Sequence, residues 1–268
     1  MDRDKIERLK IRLHDHATLA VGKLAQQGLE PFVHYRVDGI FLQGSQNYGT
    51  DHEGSDVDSK MAITPTYEGL LRGMKFNYDF ELPGHEFCSV KPTTDFIVLF
   101  QKGNINNLEI LTTPYAIVNT RCWEHMRENV ELIVEDAVDS MFNAAFGMMN
   151  QKRKGLLDYT EGTKDYFDKY GFDNKNLIHI LRLCDTLHSY HQTNNFKESM
   201  LWGESLFAQN LIAAVKEGIT SEVAVYTADA AIKSAESLLA RRKGMVHKNN
   251  DMYRIMREEY IKSALVRI

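Results

Sequence analysis

The sequence predicts an α+β protein, a small mixed-sheet module followed by an all-helical domain. Three observations carry this. All five prolines (Pro31, Pro65, Pro83, Pro92, Pro114) fall in the first 115 residues. The short β-favouring runs are confined to the same stretch. Beyond it the chain shows long helical periodicities with no proline to break them. The division this implies is residues 1–120 for the sheet module and 121–268 for the helical domain.

The first module opens with a helix over Lys5–Gln26, whose apolar residues Ile6, Leu9, Leu13, Val21 and Leu24 recur at helical spacing and stop near Gly28. Strands are expected at Gly39–Gln43 and Asp56–Ile63. Thr66 has the character of a helix cap before Tyr67–Arg72. Phe87–Val90 reads as a third strand. Thr94 and Asp95 are placed to cap a helix over Phe96–Gln101, and Pro114 ends the next one, Ile105–Leu111. The helical domain is expected to comprise Trp123–Lys152, Asn174–His191, Glu198–Glu217, Ser221–Arg241 and Met252–Ile268, with Gly218 and Gly244 as stops.

At 268 residues the chain is long enough for one large core or two ordinary ones. Its hydrophobic fraction of 43% and charged fraction of 26% are those of a soluble globular protein, and no apolar run approaches the length of a membrane span. The charged start Met1–Lys5 lacks a signal-peptide core, so a cytoplasmic location is expected and no membrane partner. Cys88, Cys122 and Cys184 are too scattered for a disulfide framework or a zinc cluster. A net charge of −5 argues against a protein that coats nucleic acid. Two basic clusters, Lys152-Arg153-Lys154 and Arg241-Arg242-Lys243 with Lys248, are ordinary as helix ends, and only the first is near other candidate site residues.

The most informative stretch is Gly44-Ser45-Gln46-Asn47-Tyr48-Gly49, followed by Ser55-Asp56-Val57-Asp58. A strand running into Gly-Ser lets the backbone turn sharply and offer amides and a hydroxyl to phosphate oxygens. Asp56 and Asp58, two apart on a strand, would point to one face. Two carboxylates aimed at one point repel unless a cation lies between them. Mg²⁺ suits the position, because it takes hard oxygen ligands and shares them with substrate phosphates. Further along, Lys175, His179 and Arg182 share one face of a helix. That stripe could meet a triphosphate, or it could be a solvated cationic face with His179 half-packed. Among the other histidines, His14 and His16 have no metal partner at ligand spacing.

The order and spacing of these pieces resemble the DNA polymerase β-like nucleotidyltransferase superfamily, in which Gly-Ser precedes an Asp-x-Asp pair. Within it, four segments resemble the bacterial and bacteriophage nucleotidyltransferases of the RlaP/YcgL type. They are Gly44–Gly49, Ser55–Lys60, Lys102–Leu111 and Tyr170–Lys175 leading to His179–Leu183, spread from residue 40 to about 185. The resemblance implies a polymerase β-like module and transfer of NMP from a nucleoside triphosphate to an acceptor hydroxyl, with an RNA end or tRNA as the suggested acceptor class. It implies Mg²⁺, with Mn²⁺ as an alternative, at Asp56 and Asp58. Gly44, Ser45, Tyr48, Lys175, His179 and Arg182 become nucleotide contacts. Asn104 and Glu109 are expected to hold a helix pair against the sheet.

The chain departs from the superfamily at the third carboxylate. Where Asp-apolar-Lys is expected, it has Ser89-Val90-Lys91. Three readings stand: Glu86, if a bulge turns it inward; Asp95, already explained as a capping residue; or loss of the ligand. Two functions of different class follow. The first is an active nucleotidyltransferase. The second is a catalytically impaired version serving as a nucleotide- or RNA-binding regulatory module. A helical interaction protein with a decayed site is the third, blander alternative.

Overall fold

The computed structural model describes residues 3–48, 51, 55–201, 206–242 and 249–265. Gly49, Lys243, Gly244, Lys248 and residues 266–268, all named in the sequence reading, lie outside them.

Helix α1 (Arg3–Gln26) leads into strand β1 (Tyr35–Gln43), then β2 (Asp58–Pro65), α2 (Tyr67–Leu71), β3 (Tyr78–Leu82), β4 (Glu86–Pro92), α3 (Thr93–Gln101), α4 (Ile105–Thr112) and β5 (Ala116–Val118). The strands form one mixed sheet in the order β3-β4-β2-β1-β5, with β2 and β4 parallel and the other neighbours antiparallel. Strand β3 was not foreseen, although Tyr78-Asp79-Phe80-Glu81-Leu82 alternates with the period of two that marks a half-buried strand. The three-residue β5 is too short to show a period.

The pleat divides the sheet's side chains between two cores. On one face Ile40, Leu42, Met61, Ile63, Cys88 and Val90 pack under Leu9, Leu13, Ala20 and Leu24 of α1. On the other, Phe41 and Ala62 meet Phe96, Phe100 and Trp123. The Trp123 ring lies 4.4 Å from Phe41 and edge-on to Phe96 at 5.5 Å, centre to centre. A register shift between Val37 and Gly39 makes Asp38 an extra residue in β1. Its buried carboxylate accepts hydrogen bonds from Thr64 and Thr93.

The remaining helices are α5 (Arg121–Glu128), α6 (Val130–Asp136), α7 (Val138–Lys154), α8 (Lys164–Tyr170), α9 (Asn174–Thr193), α10 (Phe196–Ser199), α11 (Leu206–Glu217), α12 (Ser221–Arg242) and α13 (Met252–Leu265). The second core runs on without interruption into them, through Met141, Phe142, Leu177, Leu183, Ala228 and Met256. The expected single helix Trp123–Lys152 is three, broken at Asn129 and Ala137. Asn129 turns its side chain back onto the His125 carbonyl at 2.9 Å, a local bond that competes with helix continuation. The apolar period carries straight through both breaks, because Val130, Ile133, Val134, Val138 and Met141 are all buried, and so conceals them. Likewise α3 begins at Thr93 directly after Pro92, so Thr94 and Asp95 lie inside its first turn rather than capping it. Thr66 does cap α2, accepting the Gly69 amide at 3.2 Å. Among the described residues no helix is long and apolar enough to cross a membrane.

Candidate functional site

Strand β1 ends where β2 begins, with Gln43 in register with Asp58, so the turn leaving β1 is set against the first residue of β2. Gly44 there has φ 88° and ψ −158°, a region essentially reserved for glycine. A single helical turn, Ser45–Asn47, follows. Asn47 fastens it, donating to the Leu42 carbonyl at 2.7 Å and accepting from the Thr113 hydroxyl at 2.6 Å at the end of α4. A Cβ at position 44 would stand 3.9 Å from a carboxylate oxygen of Asp58. Turn and carboxylate are thus direct neighbours, as the motif predicts.

Asp58 is half-buried and accepts the Phe87 amide at 3.0 Å. Burial, the charge of Asp56 and that of Glu86 raise its carboxyl pKa; the Phe87 amide and His16 oppose this. Asp56 precedes β2 in irregular backbone and is exposed. The strand pleat therefore does not aim the two carboxylates at one point, as the spacing had suggested, but Asp56 still bears on Asp58 electrostatically.

Glu86 is not turned toward them. Strand β4 pairs in unbroken register with β2 and β3, so no bulge rotates it. It keeps the phase of Cys88 and Val90 and faces α1, where its carboxylate accepts from Arg12 and, at 2.8 Å, bonds His16 Nε2. His16 is fully buried, and its Nδ1 lies 2.9 Å from the Ser59 hydroxyl. The other Glu86 oxygen accepts the Val57 amide at 3.3 Å. Glu86 and its α1 partners thus grip the backbone between Asp56 and Asp58 from behind the sheet. Ser89 is in register with Lys60. The carboxylate beside it, Asp79 on β3, is two strands from β2, about 9–10 Å, too far to share one small ion with Asp58. Among the described residues no three His, Cys, Asp or Glu side chains gather as a metal cage. The pair Asp56 and Asp58 is a donor set that Mg²⁺ or Mn²⁺ fits only when a ligand's oxygens and water complete its shell.

Helix α9 packs against this turn through Arg182. Arg182 is 2% exposed, and among the described residues none of its three guanidinium nitrogens has a hydrogen-bond partner. The guanidinium instead stacks on the Tyr48 ring, 3.9 Å from its centre. His179, one turn earlier, is half-buried with Nε2 3.3 Å from the Met148 sulfur. Burial and the charges of Arg182 and Lys152 push its pKa down to about 3, so the ring is neutral at physiological pH. Lys152, from the basic cluster ending α7, therefore belongs to this neighbourhood, whereas Arg153 pairs with Asp229 at 2.6 Å. Lys175 is exposed on the first turn of α9.

Glu109 of α4 adjoins both the turn and Arg182. It does more than hold a helix pair: it is buried, it accepts the Gly44 amide at 3.4 Å, and Lys60, Arg182 and Tyr48 all act on its carboxylate. Burial raises its pKa, against those partners. Lys60, on the same sheet face as Asp58, is buried with its ammonium donated to the Asn106 carbonyl. Desolvation pushes its pKa down to about 8. Sequence reasoning had left Lys60 as a strand residue, although its place two after Asp58 puts it on that face. His16 left no local signal, since its partners are 43 and 70 residues away.

No protein-family model matches the chain, and no curated protein matches it. Among solved structures, a nucleotidyltransferase-like protein from Exiguobacterium sibiricum is similar over 83% of this chain and 74% of its own, at 12% identity and a TM-score of 0.33. A likeness at that level fixes neither chemistry nor substrate.

Proposed function

We propose that this protein binds a nucleoside triphosphate between the Gly44–Tyr48 turn and α9, and transfers its NMP moiety to an acceptor hydroxyl. The observation that carries this reading is Arg182. A guanidinium buried without a hydrogen-bond partner is costly, and anionic phosphate oxygens are the partners its planar fork suits. It lies against Tyr48 of the very turn whose Gly-Ser start suits phosphate. Lys60, Lys152 and Arg182 bring positive charge around this turn, and Glu109 and Asp58 bring negative charge.

In this reading the backbone at Gly44 and Ser45 cradles the phosphates, and Arg182 meets the β- and γ-phosphates while Tyr48 keeps its fork flat. Glu109 holds Arg182 and Lys60 in place through charge. Asp56 and Asp58 would hold Mg²⁺ or Mn²⁺, which when bound offsets phosphate charge and favours ionisation of the acceptor hydroxyl. That hydroxyl would displace pyrophosphate from the α-phosphorus. The RlaP/YcgL resemblance suggests an RNA end or tRNA as acceptor.

Ser89 favours a second reading. With serine in register with Lys60 and Glu86 held on the far face, no third carboxylate joins Asp56 and Asp58 in a metal cage among the described residues. The protein would then bind nucleotide without turning it over and act as a regulatory module. Incubation with labelled NTP and Mg²⁺ or Mn²⁺ separates the two. Label transfer with pyrophosphate release supports the enzyme; saturable binding without release supports the module. Absence of nucleotide binding sinks both.

A further inference from the structure

Three polar residues of α1, Lys5, Arg12 and His16, lie at i, i+7 and i+11 and so share one face of the helix. Each reaches a different point on the segment that carries Asp56 and Asp58. Lys5 donates to both carboxylate oxygens of Asp51, upstream of Asp56, at 2.9 Å. Arg12 and His16 hold one oxygen of Glu86, and its other oxygen accepts the Val57 amide at 3.3 Å, between the two aspartates. His16 Nδ1 also lies 2.9 Å from the hydroxyl of Ser59, the residue after Asp58. The residue after Glu86 completes the arrangement, because the Phe87 amide donates to the Asp58 carboxylate at 3.0 Å. One helix face thus holds this segment before, between and after its two carboxylates. Stability alone does not call for such a stripe. Elsewhere α1 meets the sheet through Leu9, Leu13, Ala20 and Leu24. His16, Ser59 and Glu86 are buried. Burying such groups costs free energy that their mutual bonds do little more than offset, and apolar side chains of similar volume serve a core as well. What a bonded polar network adds is a fixed geometry.

We propose that this face of α1 sets the positions of Asp56 and Asp58, and that Lys5, acting through Asp51, is a positioning residue for the metal-bound nucleotide. The inference rests on the function proposed above, in which the two aspartates hold Mg²⁺ or Mn²⁺. They need such support. Asp56 precedes β2 in irregular backbone, outside the ladder that begins with Asp58. The charge of Asp56 bears on Asp58, and like charges push apart without a cation between them. Attachments at Asp51 and Val57, on either side of Asp56, hold it against that repulsion. The Lys5–Asp51 pair is the attachment that stands apart from the core: both side chains are 21% exposed, and both carboxylate oxygens are engaged. An ion pair so placed contributes little to stability. Side chains that orient metal ligands nevertheless change metal affinity without touching the ion.

Titration calorimetry of the full chain with each common NTP, in Mn²⁺ and again in EDTA, isolates the metal-dependent part of nucleotide affinity. Lys5→Met should lower the affinity in Mn²⁺ about tenfold, the lower end for groups that orient metal ligands. Its affinity in EDTA and its Tm should stay at the wild-type values. Asp51→Asn should do the same from the other side of the pair. Lys5→Arg should recover most of the loss, because a guanidinium can meet both oxygens of Asp51. Equal Mn²⁺-dependent affinities of wild type and Lys5→Met overturn the inference while leaving the nucleotide reading intact. So does a parallel loss in EDTA, or a loss that Lys5→Arg does not recover, for the pair then serves the fold at large. A wild type indifferent to Mn²⁺, or one that binds no nucleotide, removes the proposed function itself and the inference with it.

Discussion

Arg182 on α9 lies over Tyr48, with its guanidinium carbon 3.9 Å from the ring centre, and this contact joins the helical region to the Gly-Ser turn. In a dry environment such a contact contributes about 2 kcal/mol, yet among the described residues all three guanidinium nitrogens lack hydrogen-bond acceptors. If they are reserved for phosphate, Arg182→Ala should weaken triphosphate binding by about 1.5–3 kcal/mol, the range for a charge-assisted hydrogen bond. Arg182→Lys should recover only part of this, because an ammonium cannot stack or fork. Titration calorimetry with NTP and NMP checks it: the loss should be larger for NTP, and equal affinities of wild type and Arg182→Ala would remove Arg182 from the site.

Glu86 offers a test of the third-carboxylate question. A metal ligand would not tolerate Glu86→Gln, whereas a residue that grips the Val57 amide from behind the sheet should. We expect Mn²⁺-dependent nucleotide affinity in Glu86→Gln to stay within a few-fold of wild type, since the amide oxygen can still accept from Val57. His16→Ala should lower unfolding free energy by about 1–3 kcal/mol, because it strips partners from buried Glu86 and Ser59. Urea denaturation gives that value. Loss of all metal dependence in Glu86→Gln would return Glu86 to the ligand set.

The raised carboxyl pKa of Asp58 makes a prediction whose sign depends on pH. When the folded-state value lies above the unfolded one, ionisation costs stability, so the penalty is absent at pH below the ordinary carboxylate range and present at neutrality. Asp58→Asn should therefore raise the Tm of the metal-free protein at pH 7. The gain should vanish near pH 3, where the wild-type carboxyl is protonated in both states. With Mg²⁺ and NTP added the order should reverse, wild type gaining more than the variant. A variant destabilised at pH 7 without metal would show that Asp58 is held by the fold rather than strained by it.

His179 behaves in the opposite sense. Its pKa is pushed down to about 3 in the folded protein, against about 6.5 unfolded, so it contributes stability above the unfolded value that is lost as pH falls through that window. At pH 5 the loss amounts to about 2 kcal/mol. His179→Gln should flatten this part of the profile, so that its unfolding free energy changes less than that of wild type between pH 7 and pH 5. Parallel profiles would mean that the imidazole gains its proton without resistance.

The candidate site was legible in the sequence where its pieces are local. Gly44, Ser45, Asp58 and the face shared by His179 and Arg182 follow from spacing alone, since a pleat and a helical turn have fixed periods. The strand position of Asp56 and the inward Glu86 did not survive. Where a strand's hydrogen bonding begins, and whether it bulges, are settled by its neighbours. The three-way break of the helix after Trp123 was hidden because the apolar period continues across it.

By itself, then, the sequence determined the kind of each long element, the confinement of strands to the proline-containing first 120 residues, and the closeness of a Gly-Ser turn to Asp58. These rest on short-range sterics and periodicity, which neighbouring residues carry in full. Only the tertiary structure decided the partners of the buried charges. It placed His16 between Ser59 and Glu86, set Glu109 among Lys60, Tyr48 and Arg182, and left Arg182 without a hydrogen-bond acceptor among the described residues. It also turned the apolar face of α2 outward, because a glycine on its other side fits beneath the His34 carbonyl. Each outcome depends on which surfaces meet across the fold, and a charge or an apolar stripe has no partner until that packing is made.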